Sequence, residues 1–162
     1  MIWKFITFFV RKLEPEIAHQ ISLIALKLGF HPRLKRIEIP VKINNLHFTN
    51  FLGVAAGFGF VEVGTVTPLK QYGNPKPRVF RLVEDQALIN RLGFNNLGSE
   101  NVSSRIRLNK PKGLIGVNLG PNKDTDDRLN DYLVGFRAFH DLVDYITINI
   151  SSPNTENLRE FH

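Results

Sequence analysis

Cysteine is absent from the 162-residue chain. That rules out disulfides and any thiol nucleophile, and it agrees with a reducing, cytosolic setting. A membrane-spanning helix needs about 20 mostly apolar residues, and Lys4, Arg11 and Lys12 interrupt the most apolar segment far short of that. No small-x-small cleavage site follows the segment, so a secretory signal peptide is a poor match. Low-complexity tracts and internal repeats are missing too. The five histidines, His19, His31, His47, His140 and His162, are scattered without metal-ligand spacing, and no metal site is expected. The glycines of GFGFVEVG are spaced G-x-G-x-x-x-x-G, and no G-x-x-x-x-G-K-S/T occurs. These absences exclude a dinucleotide fingerprint and a P-loop.

What is present is the composition of a soluble globular protein with one real core, 43% hydrophobic and 22% charged. The formal charge is +6, and residues 1–40 carry much of it, with seven Lys or Arg against three Glu. Within that basic quarter Ile2, Phe5, Ile6, Phe9, Val10 and Leu13 follow helical spacing. A second helix is expected from Pro15, with Ile17, Ile21, Ile24, Ala25 and Leu28 on one face and Gly29 closing it. Such a helical hairpin either packs on a domain or lies in a membrane headgroup region, where Trp3 and several Phe on one face suit the interface. The basic residues flank an apolar stripe without a stacking platform or reader motif, so no nucleic-acid partner is expected.

From about residue 41 the pattern changes to short β-rich runs alternating with helical ones. FLGVAAG, FVEVGTVT, GLIGVNLG and YITINISS are nearly continuous apolar runs, as in parallel strands buried on both faces. Leu129, Leu133, Phe136 and Phe139 give the segment between the last two a helical spacing, which makes a βαβ unit. RVFRLVEDQALINR reads as two strands around the turn Val83-Glu84-Asp85-Gln86, while Lys76 and Arg78 in the stretch KPR read as surface charges. The candidate parallel strands end in Gly57, Thr65, Asn118 and Asn149. In a parallel α/β barrel such ends converge on the face that carries the site. The last one is followed by Ser151, Ser152, Asn154 and Thr155, a packet of small hydrogen-bonding side chains that is either a turn or part of a site.

The strings AAG, VEVGTVTP, GNPKPRVFRL, INRLGFNNLG, GVNLGPNKDT and INISSPNT occur in that order. Together, from about residue 40 to residue 159, they resemble the dihydroorotate dehydrogenase family. The N-terminal helix pair is similar to the extension of its membrane-associated, quinone-using class. The resemblance implies an α/β fold, the N-terminal half of a (β/α)8 barrel over residues 41–162, preceded by an amphipathic helical extension over residues 1–40. It implies FMN as cofactor and oxidation of dihydroorotate to orotate in pyrimidine (UMP) biosynthesis, with electrons passed to a membrane quinone. The implied location is peripheral on the cytoplasmic side of the cell membrane, or on the inner mitochondrial membrane in a eukaryote.

Residue by residue, the resemblance assigns FMN contacts to Ala56, Gly57, Thr65, Asn118 and Asn149. It assigns substrate contacts to Asn90, Arg91, Leu92, Gly93, Phe94, Asn149 and Asn154, and the catalytic base to Ser152, with Thr155 a candidate to orient it. The soluble class has a cysteine at the base position, so Ser152 agrees with the helical extension on class. Other readings are a different FMN-barrel oxidoreductase and a relative acting only as a membrane-surface or partner-binding module.

The family pattern departs here in two places. After AAG it carries an Asp-Lys pair and a helix, whereas Gly57-Phe58-Gly59-Phe60 runs straight into Val61. Roughly fifteen residues are expected to be missing there, and adjacent parallel strands need a crossover of roughly a dozen or more. A lysine expected to contact flavin and substrate has no counterpart, so FMN is expected to be held weakly. An eight-stranded barrel typically takes about 250 residues, and the chain stops at His162.

Overall fold

In the computed structural model of the chain, residues 2–30, 39–50, 60–110 and 113–151 are described. The elements in chain order are α1 (Ile2–Val10), α2 (Pro15–Lys27), β1 (Val41–Ile43), β2 (Leu46–Phe48), β3 (Phe60–Val66), β4 (Val79–Leu82), β5 (Ala87–Asn90), α3 (Ser99–Leu108), β6 (Leu114–Leu119), α4 (Arg128–Phe139) and β7 (Tyr145–Ile148). They form two compact units, residues 1–36 with 75–91 and residues 37–74 with 92–162.

In the first unit, α1 sets Phe5 edge-on against Phe9 one turn away, with ring centroids 4.8 Å from each other. Glu14 caps α2, its carboxylate accepting from the N–H groups of Glu16 (3.1 Å) and Ile17 (2.9 Å). Pro15 at the first helical position needs no donor there. Gly29 ends the helix with φ +82, a conformation in which a side chain would be strained. β4 and β5 pair antiparallel from Val79↔Asn90 to Leu82↔Ala87, around the turn expected at residues 83–86. The Arg81 guanidinium donates to the carbonyls of Arg11 and Leu13 and so fastens the α1–α2 linker to β4.

Lys76 and Arg78 are not simple surface charges. Lys76 Nζ lies 3.0 Å and Arg78 Nε 3.3 Å from the Glu16 carboxylate. The hydrogen bond from Lys76 holds that carboxyl below its usual range against desolvation, with the Arg78 charge adding to the effect. The pairing joins residues about sixty positions apart in the chain, a separation that local pattern does not reach.

In the second unit β1 and β2 make a short antiparallel hairpin. The main sheet is parallel, in the order β3-β6-β7. α4 is the crossover between β6 and β7, so the expected βαβ unit forms. Asp127 caps α4 by accepting from the Asn130 N–H at 2.9 Å. The helix stops at Phe139, whose carbonyl accepts from the N–H groups of Leu142 and Val143. Asp144 starts β7 by accepting the Ile115 N–H at 2.8 Å, fixing the β6–β7 register. The strand expected over FLGVAAG, and the junction after Gly57, lie outside the described residues.

Strand alternation gives this sheet two unlike faces. Ile115, Val117 and Leu119 of β6 point to one side, where Ile106 of α3 and Tyr132 and Phe139 of α4 cover them. Val117 and Phe139 are fully buried at 0% exposure, so this side is the core. The opposite side carries Glu62, Gly116, Asn118, Tyr145, Thr147 and Asn149, brought level by the pairings Glu62↔Gly116↔Tyr145 and Asn118↔Thr147. Gly116 is bare for a reason, because a Cβ there would lie 2.1–2.6 Å from atoms of the Tyr145 ring. The missing side chain lets that ring cross β6 toward Glu62.

Candidate active site

The β3–β6 register slips between Gly64 and Val66, which leaves Thr65 as an extra, unpaired residue. Bulges of this kind re-aim a side chain, and here the Thr65 hydroxyl donates to Asn118 Oδ1 at 2.8 Å. Gly64 has φ +140, and a Cβ on it would meet the Asn118 carbonyl oxygen at 2.5 Å, so only glycine fits this approach. From β7, Asn149 Nδ2 donates to Thr65 Oγ1 at 3.1 Å. Three strand ends thus contribute a hydroxyl and two amides to one point.

The cluster continues toward the strand N-termini. Asn118 Nδ2 donates to Glu62 Oε1 at 3.1 Å and Thr147 Oγ1 donates to Glu62 Oε2 at 2.9 Å. Beyond Glu62, burial pushes the Tyr145 phenol up to about 12, helped by the Glu62 charge and the approach of that carboxylate to the hydroxyl. Among the described residues no partner meets this hydroxyl at full hydrogen-bond geometry. On the far side Tyr132 donates to the Asn149 carbonyl at 2.7 Å and holds the end of β7 to α4. Burial raises the Tyr132 phenol as well, with the Arg128 charge opposing.

Stability should follow the Tyr145 shift. The folded protein keeps the proton up to about 12, while the unfolded chain releases it near the ordinary phenol value of 10.0. The contribution is therefore complete below pH 10 and lost as pH rises toward 12. Urea midpoints measured across that window should fall more steeply for the natural chain than for Tyr145→Phe.

A second set of amides fixes the loop over residues 93–98. Asn96 Oδ1 accepts from the N–H groups of Thr67 (3.3 Å) and Gly98 (2.8 Å), while its Nδ2 donates to Thr67 Oγ1 (2.8 Å) and the Phe94 carbonyl (2.8 Å). Asn122 joins the loops after β3 and β6, its Nδ2 donating to Leu69 O at 3.0 Å and its Oδ1 accepting from the Leu69 N–H at 2.9 Å. Gln71 Nε2 donates to the Gly93 carbonyl at 2.9 Å. These bonds hold Phe94 at φ +52, a conformation uncommon outside glycine. Its ring reaches the position above Gly120, beside the Thr65 methyl. Asn96→Ala removes four hydrogen bonds next to the buried Thr67, whose hydroxyl keeps its bonds to Leu69 and Asn122, and a loss of about 2–3 kcal/mol is expected in urea denaturation.

The structure thus brings Thr65, Asn118 and Asn149 together, with Phe94 beside them, and ties Leu92 and Gly93 into the same unit through bonds to Asn74 N–H and Gln71. Asn90 and Arg91 belong to the other unit. Asn90 ends β5 opposite Val79. Arg91 donates to the Pro77 carbonyl at 2.9 and 3.2 Å and lies over the Phe80 ring. Ala56, Gly57, Ser152, Asn154 and Thr155 lie outside the described residues. Sequence reasoning missed Glu62, Thr147, Tyr145, Asn96 and Asn122. A lone carboxylate inside VEVGT, and polar residues two apart in YITIN, were the available signals.

The parallel sheet covered by helices on one side is part of an α/β barrel, and its hydrogen-bonding side chains gather at the strand C-termini, the end at which barrels of this kind carry their sites. The sequence profile of the dihydroorotate dehydrogenase family matches residues 39–162, and the chain belongs to that family. It is 49% identical over 165 residues to a dihydroorotate dehydrogenase (quinone) of Bartonella tribocorum, covering 91% of this chain and 46% of the relative. A protein of the same name from Rhizobium leguminosarum bv. trifolii is 48% identical, with 91% and 46% covered. Among solved structures, the Eimeria tenella DHODH in complex with ferulenol superposes with a TM-score of 0.83 at 38% identity, covering 91% of this chain and 46% of that one. The chain spans about half the length of the curated relatives it matches.

Proposed function

We propose that this chain carries the flavin- and substrate-facing residues of a quinone-type dihydroorotate dehydrogenase. The observation that carries the proposal is the convergence of Thr65, Asn118 and Asn149 from three successive parallel strands. This donor set suits FMN, because each neutral amide offers a donor and an acceptor to a ring edge of alternating N–H and C=O groups. Thr65, Asn118 and Asn149 would hold FMN, together with Ala56 and Gly57. When bound, the flavin supplies the two-electron redox chemistry.

The protein's own part is placement and proton transfer. Asn149 and Asn154, with Asn90, Arg91, Leu92, Gly93 and Phe94, would orient dihydroorotate, a cyclic compound of alternating N–H and C=O groups recognised by further amides. Ser152 would take the proton from a substrate carbon as orotate forms. A serine hydroxyl is a weak base, so it needs an oriented hydrogen bond, for which Thr155 stands three residues on, and a site closed to water.

The helical extension would supply the membrane and quinone side. Phe5, Phe8, Phe9, Ile24, Leu28 and Phe30 are all more than half exposed, a large apolar surface for an interface. Among the described residues no helix is long and apolar enough to cross a membrane, so the attachment proposed is peripheral. The proposed location is the cytoplasmic side of the cell membrane, or the inner mitochondrial membrane in a eukaryote, with no nucleic-acid partner.

The test is anaerobic mixing of the purified chain with FMN and dihydroorotate, following the visible absorbance of the oxidised flavin. Bleaching that requires both protein and dihydroorotate is expected. No bleaching above the protein-free rate, at FMN concentrations that saturate the chain, would overturn the proposal.

A further inference from the structure

Glu62 stands apart from the residues just assigned, and yet every hydrogen bond of the cluster can be ordered from it. A carboxylate presents only acceptors. Asn118 lies against Glu62 Oε1, so it must turn its Nδ2 that way, and the contact is 3.1 Å. Its Oδ1 then faces Thr65 and has to receive a proton, which the hydroxyl donates at 2.8 Å. A hydroxyl has one proton to give. With it committed to Asn118, Thr65 Oγ1 can only accept from its other neighbour, and Asn149 must turn its Nδ2 toward it, at 3.1 Å. The Asn149 Oδ1 that remains accepts from the Ser151 N–H at 3.2 Å.

We infer that Glu62 is a positioning residue that sets the amide polarity of Asn118 and Asn149 through a one-way hydrogen-bond relay across β3, β6 and β7. The inference rests on the proposed function only for its purpose, since those two amides are the ones assigned to FMN. The direction of the relay follows from donor and acceptor counts alone. A glutamine at position 62 can present either end of its amide, so the direction is no longer forced from that end: Asn118 gains both orientations, and Asn149 is left with only the bias of the Ser151 N–H.

The test uses the full chain, with the side-chain amide signals of Asn118 and Asn149 followed by nitrogen-15 NMR. Glu62→Gln should shift or double the signals of both asparagines, including Asn149, which does not touch Glu62. Thr147→Val removes the other hydrogen bond to Glu62 and leaves the relay whole, so the Asn149 signals should stay in place. The relay is overturned if the Asn149 signals are single and unmoved in Glu62→Gln, or if Thr147→Val disturbs them as much. Should Glu62→Gln fail to fold, Thr65→Val cuts the relay midway. Asn149 must then change while Asn118 keeps its link to Glu62, and an unchanged Asn149 overturns the proposal.

FMN titration of the same samples separates this inference from the functional one. Where the chain binds FMN, Glu62→Gln should raise Kd roughly two- to tenfold, in inverse proportion to the fraction of correctly oriented amides. If the asparagine signals respond as expected and no form binds FMN, the relay stands and the flavin assignment falls. If FMN binds and its affinity is untouched while the signals change, the purpose assigned to Glu62 is wrong.

Discussion

Phe139→Ala is expected to destabilise the sheet-containing unit by about 3–5 kcal/mol, at the upper end of what single core truncations cost. Phe139 is fully buried, in one cluster with Ile115, Val117 and Leu119 of the central strand and Ile106 of α3. Removing the ring leaves a hole between α4 and β6 that neither element can close. Both are fixed by other bonds, among them the Tyr132 hydroxyl on the Asn149 carbonyl and the Asp144 carboxylate on the Ile115 N–H. The measurement is the urea midpoint at unchanged slope. Phe139→Leu, which keeps most of the volume, should lose less than about 1.5 kcal/mol. Equal losses for the two substitutions would mean that ring volume is not what α4 contributes.

Ser152→Ala should have the largest kinetic effect. In the proposed role Ser152 is the general base; such a group typically contributes 10²–10⁴-fold, and alanine would offer no lone pair to take the substrate proton. In flavin-loaded protein, reduction of the flavin by dihydroorotate should slow by a factor in that range, while FMN binding, which is assigned to other residues, stays the same. Ser152→Cys keeps a proton acceptor and should retain more of the rate. Unchanged flavin reduction in Ser152→Ala would move the base to another residue.

The sequence made β3, β6, β7, α4 and the hairpin turn at residues 83–86 readable, because each rests on local signals: apolar runs, helical spacing, a polar turn between two β-rich segments. The three residues Thr65, Asn118 and Asn149 were legible for a related reason, each ending an apolar run. What local pattern does not carry is pairing across distance. Glu62 meets Asn118 and Thr147, 56 and 85 residues away, and Lys76 and Arg78 find Glu16 only once the chain has folded back. The association of residues 75–91 with the N-terminal helices is of the same kind.

The bare Cα of Gly116 under the Tyr145 ring makes these two positions a single heritable unit. A lineage that enlarges residue 116 has its open path through residue 145: the ring must first shrink or swing aside, and the opposite order meets the clash. Directed evolution of this sheet would therefore be expected to change the tyrosine before the glycine.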